Sequence, residues 1–241
     1  MENKDNIRVV VAGEEHKKYV TEINDTIQRA SEERGTGIAR RTDEYILTKM
    51  EEGKAVIAID GDKFAGFCYI ESWSHNKFVA NSGLIVAPQY RGVGLAKRIK
   101  QKAFELSRKK FPDAKIFGLT TGLAVMKINS ELGYKPVTFS ELTDDEAFWK
   151  GCQSCVNYDI LMRTKRTKCL CTAMLFDPQW EQKKNEKTQQ EGKLISFKKW
   201  LKNKHASGYI EPFSAKLKRV MNIVTPNDFL KHKQENALGS M

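Results

Sequence analysis

The sequence lacks any apolar run approaching the ~18 residues that a membrane-crossing helix requires. Behind the charges of its opening residues, MENKDNIRVV, there is no hydrophobic signal segment. Neither a membrane span nor secretion is therefore expected, and the chain reads as cytosolic. Cysteine is limited to 5 residues, which in a reducing compartment points to metal ligands or buried thiols rather than a disulfide framework. No internal repeat is evident. A chain of 241 residues can bury a full core as one large domain with an appendage.

Positive charge, by contrast, is plentiful. The net charge is +11, but from Gln179 onward there are 13 Lys and Arg against 6 Asp and Glu, so +7 of it lies in the last quarter of the chain. The strand-like CTAMLFDP gives way there to QWEQKKNEKTQQEGK, a polar linker or solvated helix. We place the domain edge at Pro178, with residues 1–178 as the main domain and 179–241 as a basic, partly helical extension. Within it, ISFKKWLKNK spaces Ile195, Phe197, Trp200 and Leu201 among lysines. Such a stripe can face a membrane surface, nucleic acid or a partner; packing on its own domain is the simpler expectation, because no Arg-rich or aromatic-interleaved motif accompanies it. The last segment, Asn222 to Met241, reads as poorly ordered.

Along the main domain, IRVVVA is a strand and Glu14 to Glu33 carries helical spacing at Tyr19, Ile23, Ile27 and Ala30. Thr42-Asp43 caps a second helix that Gly53 ends. KAVIAIDGDKFAGFCYIESW reads as two strands joined at Asp60-Gly61, a strong hairpin signal. KFVANSGLIV is the next strand, Gly94 to Lys109 a helix, AKIFGLTT a strand, Ala124 to Leu132 a short helix and KPVTF a strand. This alternation predicts an α/β (α+β) domain, a mixed twisted central sheet flanked by helices.

The passage from strand to helix is the most informative stretch. ANSGLIVAPQYRGVGLAKRIK runs from an apolar strand through Gly92 and Gly94 into a basic helix. The first N–H groups of a helix have no intrahelical partner and lie at the positive end of its dipole, so they favour an anion such as phosphate. Glycines there remove the Cβ atoms that would hold a pyrophosphate away, and Arg91, Lys97 and Arg98 add to the field. The stretch fails the P-loop pattern, having no Gly-Lys-Ser/Thr, and fails the dinucleotide fingerprint, with Lys97 where a third glycine belongs. What it does contain is Gln89-x-x-Gly92-x-Gly94 directly after a strand. That pattern resembles the acyl-coenzyme A signature of the GNAT superfamily of N-acetyltransferases, and the order of elements over residues 7 to 140 and the helix ending GLAVMKINSELGYKPV are similar to that family too.

The resemblance implies a GNAT fold with acyl-CoA in the splay between the fourth and fifth strands. The pyrophosphate would lie on the N–H groups of Arg91, Gly92, Val93, Gly94, Leu95 and Ala96, and the pantetheine arm would pair with Leu84, Ile85 and Val86. Strand N–H groups near the acyl oxygen would stabilise the oxyanion. Candidates for the base that frees the amine are Glu71 and His75; their plainer readings are a carboxylate paired with lysine and a turn residue. The family often places a tyrosine where this chain has Asn129, whose amide is no acid at neutral pH, leaving water, Tyr134 or another tyrosine as the proton source. Acceptor choice would lie in RGTGIARR, whose Arg34, Arg40 and Arg41, with Lys77 near the candidate base, suit a small acidic acceptor. The alternative is a solvated basic loop.

The strings GFCYIES, FVANSGLIVAP and FWKGCQSCVNYDIL resemble a bacterial GNAT subgroup linked to arginine biosynthesis and proposed to acylate glutamate from acetyl-CoA or succinyl-CoA. Glutamate N-acylation is the function this implies. Acylation of a protein or peptide amine and a non-catalytic CoA-binding regulatory module are the alternatives, and a homo-oligomer is among the assemblies the chain allows. Finally, Cys152-x-x-Cys155 and Cys169-x-Cys171, separated by 13 residues, fall in what reads as a β-hairpin, VNYDILM against LCTAMLF. Two such pairs can present four thiolates to a structural zinc ion; buried free thiols are the other reading.

Overall fold

The computed structural model describes residues 6–34 and 41–206. Strand β1 (Ile7–Val11) leads through a 3-10 turn into helix α1 (Val20–Arg34), followed by α2 (Asp43–Glu51). Thr42 caps α2, its hydroxyl accepting from Tyr45 N at 3.2 Å. Strands β2 (Ala55–Asp60), β3 (Lys63–Trp73) and β4 (Phe78–Val86) form a meander, and the turn between β2 and β3 uses Gly61 at φ 58°. Helix α3 (Leu95–Lys110), strand β5 (Lys115–Thr120), helix α4 (Leu123–Glu131) and strand β6 (Lys135–Val137) come next. The short helices α5 (Glu146–Lys150) and α6 (Tyr158–Arg163), strand β7 (Thr172–Phe176) and helix α7 (Pro178–Ala206) complete the described chain.

The seven strands form one sheet in the order β1-β2-β3-β4-β5-β7-β6. Only β4 and β5 pair in parallel; every other neighbouring pair is antiparallel. From Phe64 to Ile70 every residue of β3 is buried, so both faces of the central strands are covered and alternation is lost. Helix α3 seats directly on β3 at Gly66. A Cβ there would stand 2.6 Å from Ile99 Cδ1 and 2.8 Å from the Ile85 carbonyl oxygen.

The element order agrees with the sequence reading through β6. The region after it does not: Tyr158–Arg163 is helical, so residues 152–171 are not a hairpin. Tyr158 and Leu161 face inward at helical spacing, Leu161 at 2 % exposure while Met162 is 46 % exposed, and Arg163 pairs with Asp159 one turn back at 3.3 Å. Strand β7 does form, but it inserts between β5 and β6 rather than pairing with residues 156–162. The chain divides into two compact units, Met1–Gln182 and Lys183–Met241. In the second, the rings of Phe197 and Trp200 stack at 5.9 Å; residues 222–241 lie outside the described residues. Among the described residues no helix is long and apolar enough to cross a membrane.

The contact at Gly66 gives a direct test of helix–sheet packing. We expect Gly66→Ala to destabilise the protein by about 1–3 kcal/mol, as overpacked cores do, measured as a lower urea midpoint with unchanged slope.

Candidate active site

Strands β4 and β5 pair at only three positions, Phe78 with Lys115, Val79 with Ile116 and Ala80 with Phe117. Beyond them the strands part. Part of the cause lies in β4, which carries an extra residue against β3: Phe67 faces Ile85 but Tyr69 faces Ser82. Gly83 sits in this bulge at φ 65°, and a Cβ on it would be 2.6 Å from the Tyr69 ring. Glycine is thus required twice over, by backbone conformation and by the neighbouring ring.

The gap opens into two adjoining cavities that share Leu84 and Val125. The first is a groove between the start of α3 and α4, lined by Val86, Tyr90, Arg91, Gly92, Gly94, Leu95, Ala96 and Lys97 on one side. Gly92 and Gly94 adopt φ 81° and 79°, and Gly94 is the N-cap of α3 with no side chain capping the turn. The first intrahelical bonds run from Lys97 N and Arg98 N to Gly94 O at 3.1 and 3.3 Å. The N–H groups of Leu95 and Ala96 are therefore left without a partner in the helix, and nothing would stand within 4 Å of a Cβ on either glycine. Strand alternation sends Leu84 and Val86 into the groove, while the Ile85 side chain enters the core. Gln89 and Val93 are exposed and line neither cavity.

The cationic residues around this loop divide their roles. Arg91 donates through Nε to Val86 O at 3.2 Å and approaches Glu33, and Lys97 reaches across the groove to Glu131 of α4 at 2.7 Å. Arg98 turns away, donating to Ile7 O, so it holds β1 rather than the loop.

The second cavity lies in the fork of the strands, walled by Asn81, Ser82, Gly118, Thr120, Asn129 and Lys100 among others. Asn81 is held on both sides, donating to Ser107 Oγ at 2.8 Å and accepting from Tyr134 Oη at 2.9 Å. Tyr134 is thus spent behind the wall and lines neither cavity; burial raises its pKa well above the ordinary phenol value. Asn129 is 1 % exposed, and neither its Oδ1 nor its Nδ2 has a partner in the protein. A buried amide left so costs about 1–3 kcal/mol, which a ligand or water in the cavity would recover.

On the acceptor side, Arg41 lines the fork cavity. It donates through Nε to Tyr69 Oη at 3.0 Å and lies over the Tyr45 ring at 5.2 Å. Gly151 leaves it room, since a Cβ there would be 3.2 Å from the guanidinium. Tyr45 Oη donates to Glu71 at 3.0 Å, and Glu71 is ion-paired with the buried Lys49. Glu71 lines neither cavity. His75 lies in the exposed turn between β3 and β4 at φ 55°, at the paired end of β4 rather than at the fork, and Lys77 is exposed nearby. The structure thus brings Arg41, Asn129 and the glycine loop to one cleft and leaves Glu71, His75, Lys77 and Tyr134 outside it. The Arg34 side chain and Arg40 lie outside the described residues.

All four of Cys152, Cys155, Cys169 and Cys171 line the fork cavity as free thiols. Among the described residues, however, no three His, Cys, Asp or Glu side chains are arranged to hold a metal ion, so the geometry lends the zinc expectation no support. Burial, reinforced by the neighbouring thiols, pushes Cys152 up to about 11 and Cys171 up to about 12, so both are protonated at neutral pH.

The residue that sequence reasoning passed over is Lys100. Its place on α3 put it among the basic residues of an amphipathic helix, yet it is 2 % exposed and burial brings its pKa down to about 8. Such an amine binds fewer protons folded than unfolded between pH 8 and 10.5; its unfavourable contribution is therefore full below pH 8 and gone above 10.5. We expect Lys100→Met to be more stable than wild type by about 3 kcal/mol at pH 7. That advantage shrinks as pH rises through the window, measured as paired urea titrations. The raised phenols and thiols pull the other way in alkali, but they are common to both proteins.

Residues 19–125 match the Acetyltransferase (GNAT) family. Among solved structures, the chain is similar to N-acetylglutamate synthase from Neisseria gonorrhoeae complexed with coenzyme A and N-acetyl-glutamate, at 14% identity and TM-score 0.51, covering 73% of this chain and 36% of that one. It is similar to Rv2747 from Mycobacterium tuberculosis in complex with CoA, at 15% identity and TM-score 0.51, covering 70% and 98%. A third is yncA from Salmonella typhimurium with its cofactor acetyl-CoA, at 12% identity and TM-score 0.50, covering 72% and 95%. This chain spans about a third of the Neisseria chain's length. At these identities the likeness is one of fold. No curated protein matches the sequence.

Proposed function

With residues 19–125 a GNAT acetyltransferase domain, we propose that this protein is an acyl-CoA-dependent N-acyltransferase that transfers an acetyl or succinyl group to the amine of a small acidic acceptor, glutamate foremost. The observation that carries the reading is the glycine turn at the head of α3, whose free N–H groups open onto a groove leading to the fork of β4 and β5. A pyrophosphate on those N–H groups is held by backbone and helix dipole. The rest of a CoA molecule then extends along Leu84 and Val86 and delivers its thioester to the fork.

Transfer needs little beyond placement and a neutral amine, because bringing amine and carbonyl together removes most of the barrier. An α-amine, with a pKa of about 8, loses its proton far more readily than a lysine at about 10.4, and this favours an amino acid over a protein side chain. Arg41 supports the acidic acceptor: its guanidinium is fixed against two tyrosines at the cavity wall, ready for a carboxylate. The coenzyme A and N-acetyl-glutamate complex of the Neisseria enzyme points the same way. A cytosolic setting belongs to this reading and is supported by five unpaired cysteines.

The test is thiol release by purified protein with glutamate and a panel of other amines, using acetyl-CoA and succinyl-CoA separately. Release above background with glutamate is expected; background rates throughout, with CoA bound, would favour a non-catalytic binding module instead. Arg41→Ala should raise the KM for glutamate by about tenfold or more, the loss of a charged hydrogen bond, and leave CoA affinity unchanged by calorimetry.

A further inference from the structure

The cavity at the fork contains no carboxylate and no imidazole among its described wall residues. Its ionisable groups are Arg41, the phenols of Tyr69 and Tyr158, four thiols and Lys100. Lys100 comes from α3 on the far side of the sheet opening. Its Nζ lies 5.3 Å over the Tyr134 ring and 3.8 Å from where a Cβ on Gly118 would stand. Gly118 is the first residue of β5 past the last paired position, and Asn81 is its counterpart on β4. The ammonium therefore stands at the point where the strands separate.

Each neighbour that faces it is neutral. From β3 comes the Cys68 thiol, which burial pushes up to about 11; the Tyr134 phenol precedes β6, and the Asn81–Ser107 pair bridges β4 and α3. Among the described residues Cys68 is the ionisable group whose electrostatics act on Lys100, beside the ring contact with Tyr134. The other buried lysine among the described residues, Lys49, is satisfied by Glu71 and Glu52. A buried charge without a counter-ion is costly, and here the orphan amide of Asn129 lies in the same wall. The Nδ2 of Asn157, in the same wall, has no partner either; an ammonium with no counter-ion and two orphan amide donors thus line one cavity, and a negative charge entering it would meet donors on each.

We infer that Lys100 is the proton donor to the sulfur of coenzyme A, its ammonium placed to meet the thiolate as it departs. The inference rests on the acyl-CoA reading above. As the amine nitrogen bonds to the acyl carbon, the carbon–sulfur bond breaks and its electron pair passes to sulfur. Sulfur takes a proton from Lys100, and the proton that the new amide nitrogen releases restores the ammonium. No other reactant is consumed. A pKa of about 8 leaves the amine largely charged at neutral pH yet a far better acid than an ordinary lysine. Asn129 stands where the family's tyrosine is expected, and its amide can donate a hydrogen bond to sulfur without giving up a proton.

The test reads the thiol of bound CoA and needs no acceptor. Thiolate absorbance is titrated for the CoA complex, with the desulfo-CoA complex as blank to remove the protein's own cysteines. Bound CoA is expected to ionise about one pH unit or more below free CoA, a roughly tenfold gain in thiolate near neutrality. Lys100→Met and Lys100→Gln should both return the value to that of free CoA or above it. A bound thiol that ionises no more readily than free CoA in wild type, or a shift that survives both substitutions, overturns the proposal. Absence of CoA binding to wild type in calorimetry would instead overturn the acyl-CoA reading on which it rests.

Discussion

The separation of β4 from β5 is the constraint from which the rest of the site follows. Two parallel strands that pair at three positions and then diverge leave backbone N–H and C=O groups in the middle of a sheet with no lateral partner. In a closed fold that would be a defect. Here the bulge at Gly83 turns the freed edge of β4 toward a cleft, and the helices that follow the two strands, α3 and α4, begin beside it. An extended ligand arm can complete the sheet while its anionic end sits on the uncapped turn of α3, so one molecule satisfies both deficits.

Electrostatics in the same unit separate supporting groups from acting ones. Arg41, Tyr45, Tyr69, Glu71 and Lys49 form a continuous network of hydrogen bonds, ring contacts and an ion pair. Every charge in it has a partner, which fixes Arg41 at the cavity wall with little freedom to lose on binding. Lys100 and Asn129, by contrast, carry uncompensated polarity into the fork. Unsatisfied buried groups of this kind reduce stability in the empty protein, and their gain comes only when a charged group enters.

The fold was largely legible in the sequence because its signals are local. The Asp60-Gly61 turn, the Thr42 cap, the glycine pair before α3 and the apolar runs of β2 to β5 each state a conformation within a few residues. The region after β6 was not legible: VNYDILM has both strand-like composition and helical spacing, and burial of Leu161 decided for the helix. Strand β7 entering between β5 and β6 is a long-range pairing that no local pattern announces. The glycine loop and Arg41 could be read from residue type and order. Glu71 was legible as a candidate base or as a carboxylate paired with a lysine, but not as the partner of the buried Lys49, since 22 positions separate them. Lys100 was hidden for a similar reason, because a lysine on a basic helix looks solvated until the strands beneath it part.

The central claim is that backbone amides at the head of α3 hold the anionic end of a coenzyme. Amide hydrogen exchange followed by mass spectrometry, with and without CoA, measures that contact most directly. The account predicts that CoA slows exchange at residues 91–96 and along the freed edge of β4 at residues 82–86. Exchange unchanged at both places while CoA is bound would contradict it.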